Sequence, residues 1–180
     1  MGAIAGTLIV GSGIALDAAP AAEAAQHLWR WCYRCSGLWF SGNGTAGGCP
    51  AGGGHDGSRS GDYDLKFDTD GGQGQAGWVW CGFCQGLWFG ATFGFGACPA
   101  RSDGHSIGRI DTRPPQFSGN YLLEYVGFTD GPGGQPQWRQ CGKCYGLFFD
   151  GNTPGASGVC PQDHGRHSTA GTKNYVLREL

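Results

Sequence analysis

Hydrophobic and polar positions alternate in short bursts along this chain, and the same bursts return three times. Trp29-Arg30-Trp31, Trp78-Val79-Trp80 and Trp138-Arg139-Gln140 each place a large aromatic residue in a two-residue alternation. That is the pattern of a half-buried strand. A second apolar run follows at Leu38-Trp39-Phe40, Leu87-Trp88-Phe89 and Leu147-Phe148-Phe149, with glycine close on each side. A third alternation closes each burst: Asp62-Tyr63-Asp64-Leu65, Asn120-Tyr121-Leu122-Leu123 and Asn174-Tyr175-Val176-Leu177. Glycine-rich turns such as Gly42-Asn43-Gly44 and Gly52-Gly53-Gly54 lie between them, and a helix would not tolerate these. The chain is therefore expected to be all-β, with three tandem repeats spanning residues 27–75, 76–136 and 137–180. Each repeat is built of short strands and glycine-rich turns.

The spacing of the copies differs at one place. From histidine to tyrosine the separation is 8 residues in copies one and three but 16 in copy two, where Arg113-Pro114-Pro115 marks an inserted loop. Two arrangements fit three such units: beads on a string, or a closed pseudo-threefold body resembling a β-trefoil. The first copy opens next to the leader and the last strand ends near Leu180. A linear array would need capping elements, and none is left over, which favours closure.

Residues 1–24 differ in composition. Gly2 to Leu16 carries no charge, Pro20 breaks any helix, and Ala22-Glu23-Ala24 supplies a small-x-small site. The apolar run is short for a membrane span and suits the core of a signal peptide, although no Lys or Arg precedes Arg30. Read as a leader, the segment implies a secreted protein with no transmembrane span in the mature chain. Its removal takes away Asp17 and Glu23 and leaves acidic and basic residues in balance. The alternative is an Ala/Gly-rich tail or short apolar helix.

Composition sharpens this picture. Of 180 residues, 37 are glycine and 9 proline, a level usual in disordered chains, yet 13% are aromatic and only 14% charged. A folded, turn-rich protein with a modest core needs staples, and 9 cysteines offer them. Net charge is −2 with the basic residues scattered, so the basic stripe that a nucleic-acid partner requires is missing.

Each copy carries C-x-x-C, then Cys-Pro, then a histidine. The quartets are Cys32, Cys35, Cys49, His55; Cys81, Cys84, Cys98, His105; and Cys141, Cys144, Cys160, His167. Two thiolates on one tight turn, a third thiolate and an imidazole make a closed Cys₃His zinc site, so up to three structural zincs are expected. Gly37, Gly86 and Gly146, two residues after the second cysteine, are expected to let the turn close. Disulfides are the competing reading for a secreted chain, but nine cysteines cannot all pair, nor can three within a copy. Iron, copper or mixed states, and redox use of C-x-x-C, are further alternatives, and the histidines could instead be solvated loop residues.

The W-x-C-x-x-C opening is similar to zinc-ribbon knuckles, which close with a second C-x-x-C where this chain has Cys-Pro and a histidine. The whole unit, from Trp29 to about Leu177, more closely resembles Cys-rich tandem repeats of uncharacterised secreted bacterial proteins. The resemblance implies extracellular placement and a binding or accessory role, and it supplies no catalytic residue.

Little in the sequence speaks for an enzyme. No nucleophile elbow or H-E-x-x-H helix is present, the deaminase signature is missing, and a four-ligand zinc leaves no position for water. Triplicate sites suit multivalent binding. The expectation is a binding module for carbohydrate or another extracellular surface polymer. Trp39, Trp88 and Phe148 are the candidate sugar-stacking rings, with Phe93 and Phe95 as further anchors. The competing reading packs the first three against the metal turn and the neighbouring copy, and makes the last two a local plug. Alternatives are a small secreted hydrolase around Asp150, Asp163 and His164, and a structural or inhibitory extracellular protein.

Overall fold

A computed structural model describes residues 25–91, 94–107, 109–110, 116–131, 133–152 and 157–180. The leader and Phe93 therefore lie outside the described residues. Each copy folds into the three strands expected of it. Copy one supplies β1 (Ala25–Trp31), β2 (Leu38–Phe40) and β3 (Tyr63–Phe67). Copy two supplies β4 (Gln75–Trp80), β5 (Leu87–Phe89) and, later, β8 (Tyr121–Leu123). Its inserted loop carries a small extra hairpin of β6 (Arg109–Ile110) and β7 (Gln116–Phe117), which the hydrophobic pattern did not announce. Copy three supplies β9 (Gln135–Gln140), β10 (Leu147–Phe149) and β11 (Tyr175–Glu179). Among the described residues the only helical element is a 3₁₀ turn at Asp68–Asp70.

Within each copy the first strand pairs antiparallel with both others: β1 with β2 and β3, β4 with β5 and β8, β9 with β10 and β11. The first strand bulges at its centre. Leu28, Gly77 and Gln137 there take φ values of 70°, 96° and 73°, which lifts their N–H groups out of the ladder. The side chain just before the strand tyrosine of each copy accepts that N–H: Asp62 from Leu28 at 2.8 Å, Asn120 from Gly77 at 3.0 Å and Asn174 from Gln137 at 2.7 Å. The Asp/Asn-Tyr motif thus closes a bulge in its own copy.

The copies then close on one another. β3 pairs with both β8 and β11. The remaining side is joined by a bridge between Tyr125 and Tyr175 and by the bonds Val126 N–H to Asn174 O and Val176 N–H to Glu124 O. The second strands form a ring of their own through bridges Trp39–Gly86, Trp88–Gly146 and Phe148–Gly37. Each tyrosine sits edge-on to a tryptophan of another copy: Tyr121 to Trp29, Tyr175 to Trp78 and Tyr63 to Trp138. The three tyrosine hydroxyls also donate across copies, to Gln26, Gln75 and Gln135.

One core results, made of Trp29, Leu38, Tyr63, Leu65 and their equivalents in the other copies, with Phe40 and Trp80 added. The architecture is a closed pseudo-threefold all-β body: each copy keeps a small buried cluster around its cysteines, but the main core is shared by all three and their strands pair across copies, which excludes the string of beads.

Candidate metal centre

Three cysteine-rich turns gather around one end of the pseudo-threefold axis. The hairpin from first to second strand carries the C-x-x-C pair. It closes by the first cysteine N–H donating to the Gly37, Gly86 or Gly146 carbonyl at 2.9 Å. Those glycines do not themselves make the turn. The left-handed conformation falls one residue earlier, on Ser36, Gln85 and Tyr145, at φ 61°, 63° and 64°. Their N–H groups donate back to the first cysteine carbonyl at 2.8–2.9 Å. Their own carbonyls turn outward and accept Phe149, Phe40 and Phe89 N–H from the neighbouring copy. The strain of a side chain at positive φ is thus held in place by a bond between copies.

The long glycine-rich loop then brings the third cysteine and the histidine over the knuckle. In each quartet the four ligand atoms all lie within 4.8 Å of one another. The first and third sulfurs stand 3.9, 3.8 and 3.8 Å apart in copies one to three. The second sulfur stands 3.5, 3.5 and 3.7 Å from histidine Nδ1. Sulfurs tetrahedrally placed around zinc at bonds of about 2.3 Å are about 3.8 Å apart, so the residues fit that ion. The sulfurs are far beyond the bond length of a disulfide, about 2.05 Å, and all nine cysteines are buried free thiols. The chain is built to hold three structural zinc ions, and the disulfide reading gives way.

Charge within each trio is shared unequally when no metal balances it. Cys32, Cys81 and Cys141 are held far below the usual thiol range, first by the second cysteine and then by the third. That one thiolate, together with burial, pushes the neighbouring thiols up, Cys98 to about 11. Backbone N–H groups of Asp56, Ser106 and Ser168 point at the first sulfur at 3.3–3.5 Å. A cation is the natural counterweight to three buried thiolates.

Two of the three ligating imidazoles are also held by their other nitrogen, whereas His105 Nε2 is buried and has no hydrogen-bond partner among the described residues. His55 Nε2 lies 3.1 Å from the carbonyl of Cys84, and His167 Nε2 lies 3.2 Å from that of Cys35. A metal at Nδ1 fixes the tautomer with hydrogen on Nε2, which then donates to the carbonyl. Each such bond runs from the metal loop of one copy to the knuckle of the next. The loop glycines Gly47, Gly96 and Gly158 make room for this. All are left-handed (φ 58°, 59° and 68°), and a Cβ on any of them would collide with the carbonyl of Cys84, Cys144 or Cys35. Between the three centres lies a cavity of about 40 Å³ lined by Leu38, Leu87, Leu147 and the three Cys-Pro prolines.

Trp39, Trp88 and Phe148 sit beneath these sites and present no face to solvent, at 6%, 1% and 0% exposed. They stack on His55, His105 and His167 at ring-centre distances of 5.4, 5.1 and 4.5 Å. This corrects the expectation of outward sugar-stacking rings. The second strand is covered on both faces, by the common core on the Phe40 side and by the metal loop on the Trp39 side, so alternation sends neither residue outward. Phe95 stands at 62% exposed, while Phe93 lies outside the described residues.

Asp150, Asp163 and His164 do not form one constellation. Asp150 accepts the Ser157 hydroxyl at 3.0 Å, Asp163 accepts Lys143 Nζ at 2.7 Å, and His164 is exposed on the turn after Cys160.

At the other end of the axis is a cluster that the repeat pattern concealed. Lys66, Glu124 and Arg178 are equivalent residues, each one place after the strand leucine, and they meet. Glu124, 4% exposed, accepts Lys66 Nζ at 3.4 Å and Arg178 at 3.0 Å, while Asp130 lies 3.1 Å from Lys66 Nζ.

No protein-family model matches the chain, and neither does any curated protein or solved structure.

Proposed function

We propose that this zinc-stabilised repeat protein is a secreted binding module whose partner is a carbohydrate or another extracellular surface polymer. The metal sites support this by what they leave over. Cys₃His fills the tetrahedron, so the ion supplies cross-linking and charge balance and keeps no position for a reacting water. Cys32, Cys35, Cys49 and His55, with their equivalents, would hold the ions. The Nε2 atoms of His55 and His167 would carry that rigidity to the neighbouring copy.

The observation that carries a binding role is the surface around Phe95. The ring is 62% exposed and borders an open trough of about 360 Å³ that also includes Arg101, Asp103, Ser106 and Ile107. An exposed aromatic face beside hydrogen-bonding side chains is the arrangement that grips a sugar ring. Export rests on residues 1–24, and the Cys-rich repeats of secreted bacterial proteins are the family this reading favours.

The test is retention of the zinc-loaded protein on insoluble neutral polysaccharides, cellulose and chitin first, with Phe95→Ala compared at equal zinc content and melting temperature. Retention that falls about tenfold in the variant supports the reading. Retention unchanged by Phe95→Ala, or none on any polymer, overturns it. Amino-terminal sequencing of exported protein checks the leader, with Ala25 expected as the first residue.

A further inference from the structure

The three seams between copies are alike in backbone and unlike at one side chain. Where copy one meets copy two, Gln85 fills the seam. Its Nε2 donates to the Gly82 carbonyl at 2.7 Å, its Oε1 accepts Asn43 Nδ2 at 2.5 Å, and it is 1% exposed. Where copy two meets copy three, the equivalent Tyr145 packs over Gly96. Where copy three meets copy one, the equivalent residue is Ser36, two atoms long, and an open cleft of about 430 Å³ takes the place of the filler. Ser36, itself only 2% exposed, lies at the floor of the cleft, and the Asn152 amide donates to its hydroxyl at 3.5 Å.

As a combination, the walls of this cleft are also particular to copy one. Trp31 is half-buried, Tyr33 is 38% exposed, and Arg34 and Arg59 stand beside them. Copy three has Gln140, Gly142 and Lys143 at the first three of these positions, and copy two has Trp80, Gly82 and Phe83. Arg59 lies over the Tyr33 ring at 4.6 Å, and Arg34 is braced by the Ala51 and Gly54 carbonyls at 2.9 and 3.4 Å. Among the described residues no carboxylate lies within 4.0 Å of either guanidinium. Asp56, which senses Arg34, is turned to the Ser58 N–H at 2.9 Å.

From this we infer that the cleft between copies three and one is a binding site for a carboxylate-bearing sugar residue of an acidic polysaccharide. The inference rests on the carbohydrate reading above and adds to it a second site and a charge. Guanidinium pairs carboxylate in a planar, two-bond geometry. The Trp31 and Tyr33 rings give a sugar an apolar wall, and the half-buried Asn152 amide offers a partner for a ring hydroxyl. Two cations in a chain of net charge −2 suit a single carboxylate rather than a dense polyphosphate.

The test is calorimetric titration of the zinc-loaded full chain with an oligogalacturonate and with its methyl ester at physiological salt. The free acid is expected to bind at least about tenfold more tightly than the ester, the effect of one charge-assisted hydrogen bond. Ser36→Gln installs the filler of the neighbouring seam on a backbone already shaped for it (φ 61° against 63°). It is expected to abolish acid binding while zinc content stays at three per chain. Arg59→Ala is expected to weaken binding about tenfold. Equal binding of acid and ester, or undiminished acid binding by a folded Ser36→Gln protein, overturns the site. Neutral polysaccharide held through Phe95 with no uronate binding refutes this cleft and leaves the module reading standing. Failure to bind either class removes both.

Discussion

A single methyl group added at Gly158 probes whether the three copies stand or fall together. The residue lies at φ 68°, and its Cβ would run into the carbonyl of Cys35, the atom that also faces His167 Nε2 at 3.2 Å and Val159 N–H at 3.3 Å. Two costs add. A left-handed alanine costs about 1–2 kcal/mol, and overpacking against an atom that cannot retreat costs about 1–3 kcal/mol. The Cys35 carbonyl cannot retreat because its own residue is a metal ligand. The sum is about 3.5 kcal/mol, or about 10 °C of melting temperature at roughly 3 °C per kcal/mol for a chain of this size. Gly44→Ala is the matched control. Its φ is 69° and its Cβ would meet nothing within 4 Å, so the backbone term of about 1.5 kcal/mol acts alone. The assay is thermal unfolding followed by tryptophan fluorescence, with zinc release followed in the same sample by a colorimetric chelator. Gly158→Ala is expected to melt well below Gly44→Ala, with all three ions released in one transition. Equal melting of the two variants would refute the contact. One zinc leaving early and two leaving at the wild-type temperature would refute closure.

Three further outcomes follow from the same geometry. Glu124→Gln removes the negative charge between Lys66 and Arg178 and is expected to cost about 3 kcal/mol, seen as a lower urea midpoint at unchanged slope. Combining Lys66→Met, Glu124→Leu and Arg178→Met should recover most of that loss, and failure to recover would mean that the charges do more than tolerate each other. A strong chelator should unfold the protein and open all nine thiols, buried in the folded chain and so expected to be unreactive beforehand, to a thiol reagent; a folded, metal-free protein with protected thiols would contradict the staple. At high pH the buried tyrosines decide stability. Burial raises Tyr63 to about 12 and raises Tyr121 and Tyr175 as well, whereas the unfolded chain ionises near about 10. Their contribution is complete below about pH 10 and is lost as pH climbs toward the folded values, because the unfolded state then holds fewer protons. Tyrosinate absorbance should rise together with unfolding, and ionisation of all 6 tyrosines near pH 10 in a folded protein would count against burial.

Much of this architecture was legible because it was written three times. The strands and the metal quartets recur in the same order in every copy, and recurrence separates them from chance, whereas the bulge that the Asp/Asn side chain closes was not announced by any pattern. Contacts between copies carry no such signal. Nothing local to His55 says that its Nε2 will face the Cys84 carbonyl, and nothing near Gly158 says which backbone will press against it. The glycines after C-x-x-C misled for a related reason. Left-handed turns favour glycine, yet here the turn falls on Ser36, Gln85 and Tyr145, whose carbonyls are drawn outward by the next copy. Trp39 misled because alternation along a strand presumes one wet face, and β2 has none.

Differences between the copies separate into those that symmetry forces and those that it does not. A residue on the axis meets its own two equivalents. Leucine tolerates that, and Leu38, Leu87 and Leu147 line the metal end unchanged. A buried charge does not tolerate it, since three lysines or three glutamates brought together would repel without a counterion. The opposite end must therefore carry unlike residues if it carries charge, and Lys66, Glu124 and Arg178 meet that requirement. Position 36 lies off the axis, in a seam where each copy meets only one neighbour. Gln85 and Tyr145 show that the backbone there accepts a large filler without loss of the fold. Serine at that place, with two guanidiniums and two aromatic rings at its rim, is an asymmetry that packing does not require. Stability accounts for the triad on the axis and leaves the cleft at Ser36 to be explained by what enters it.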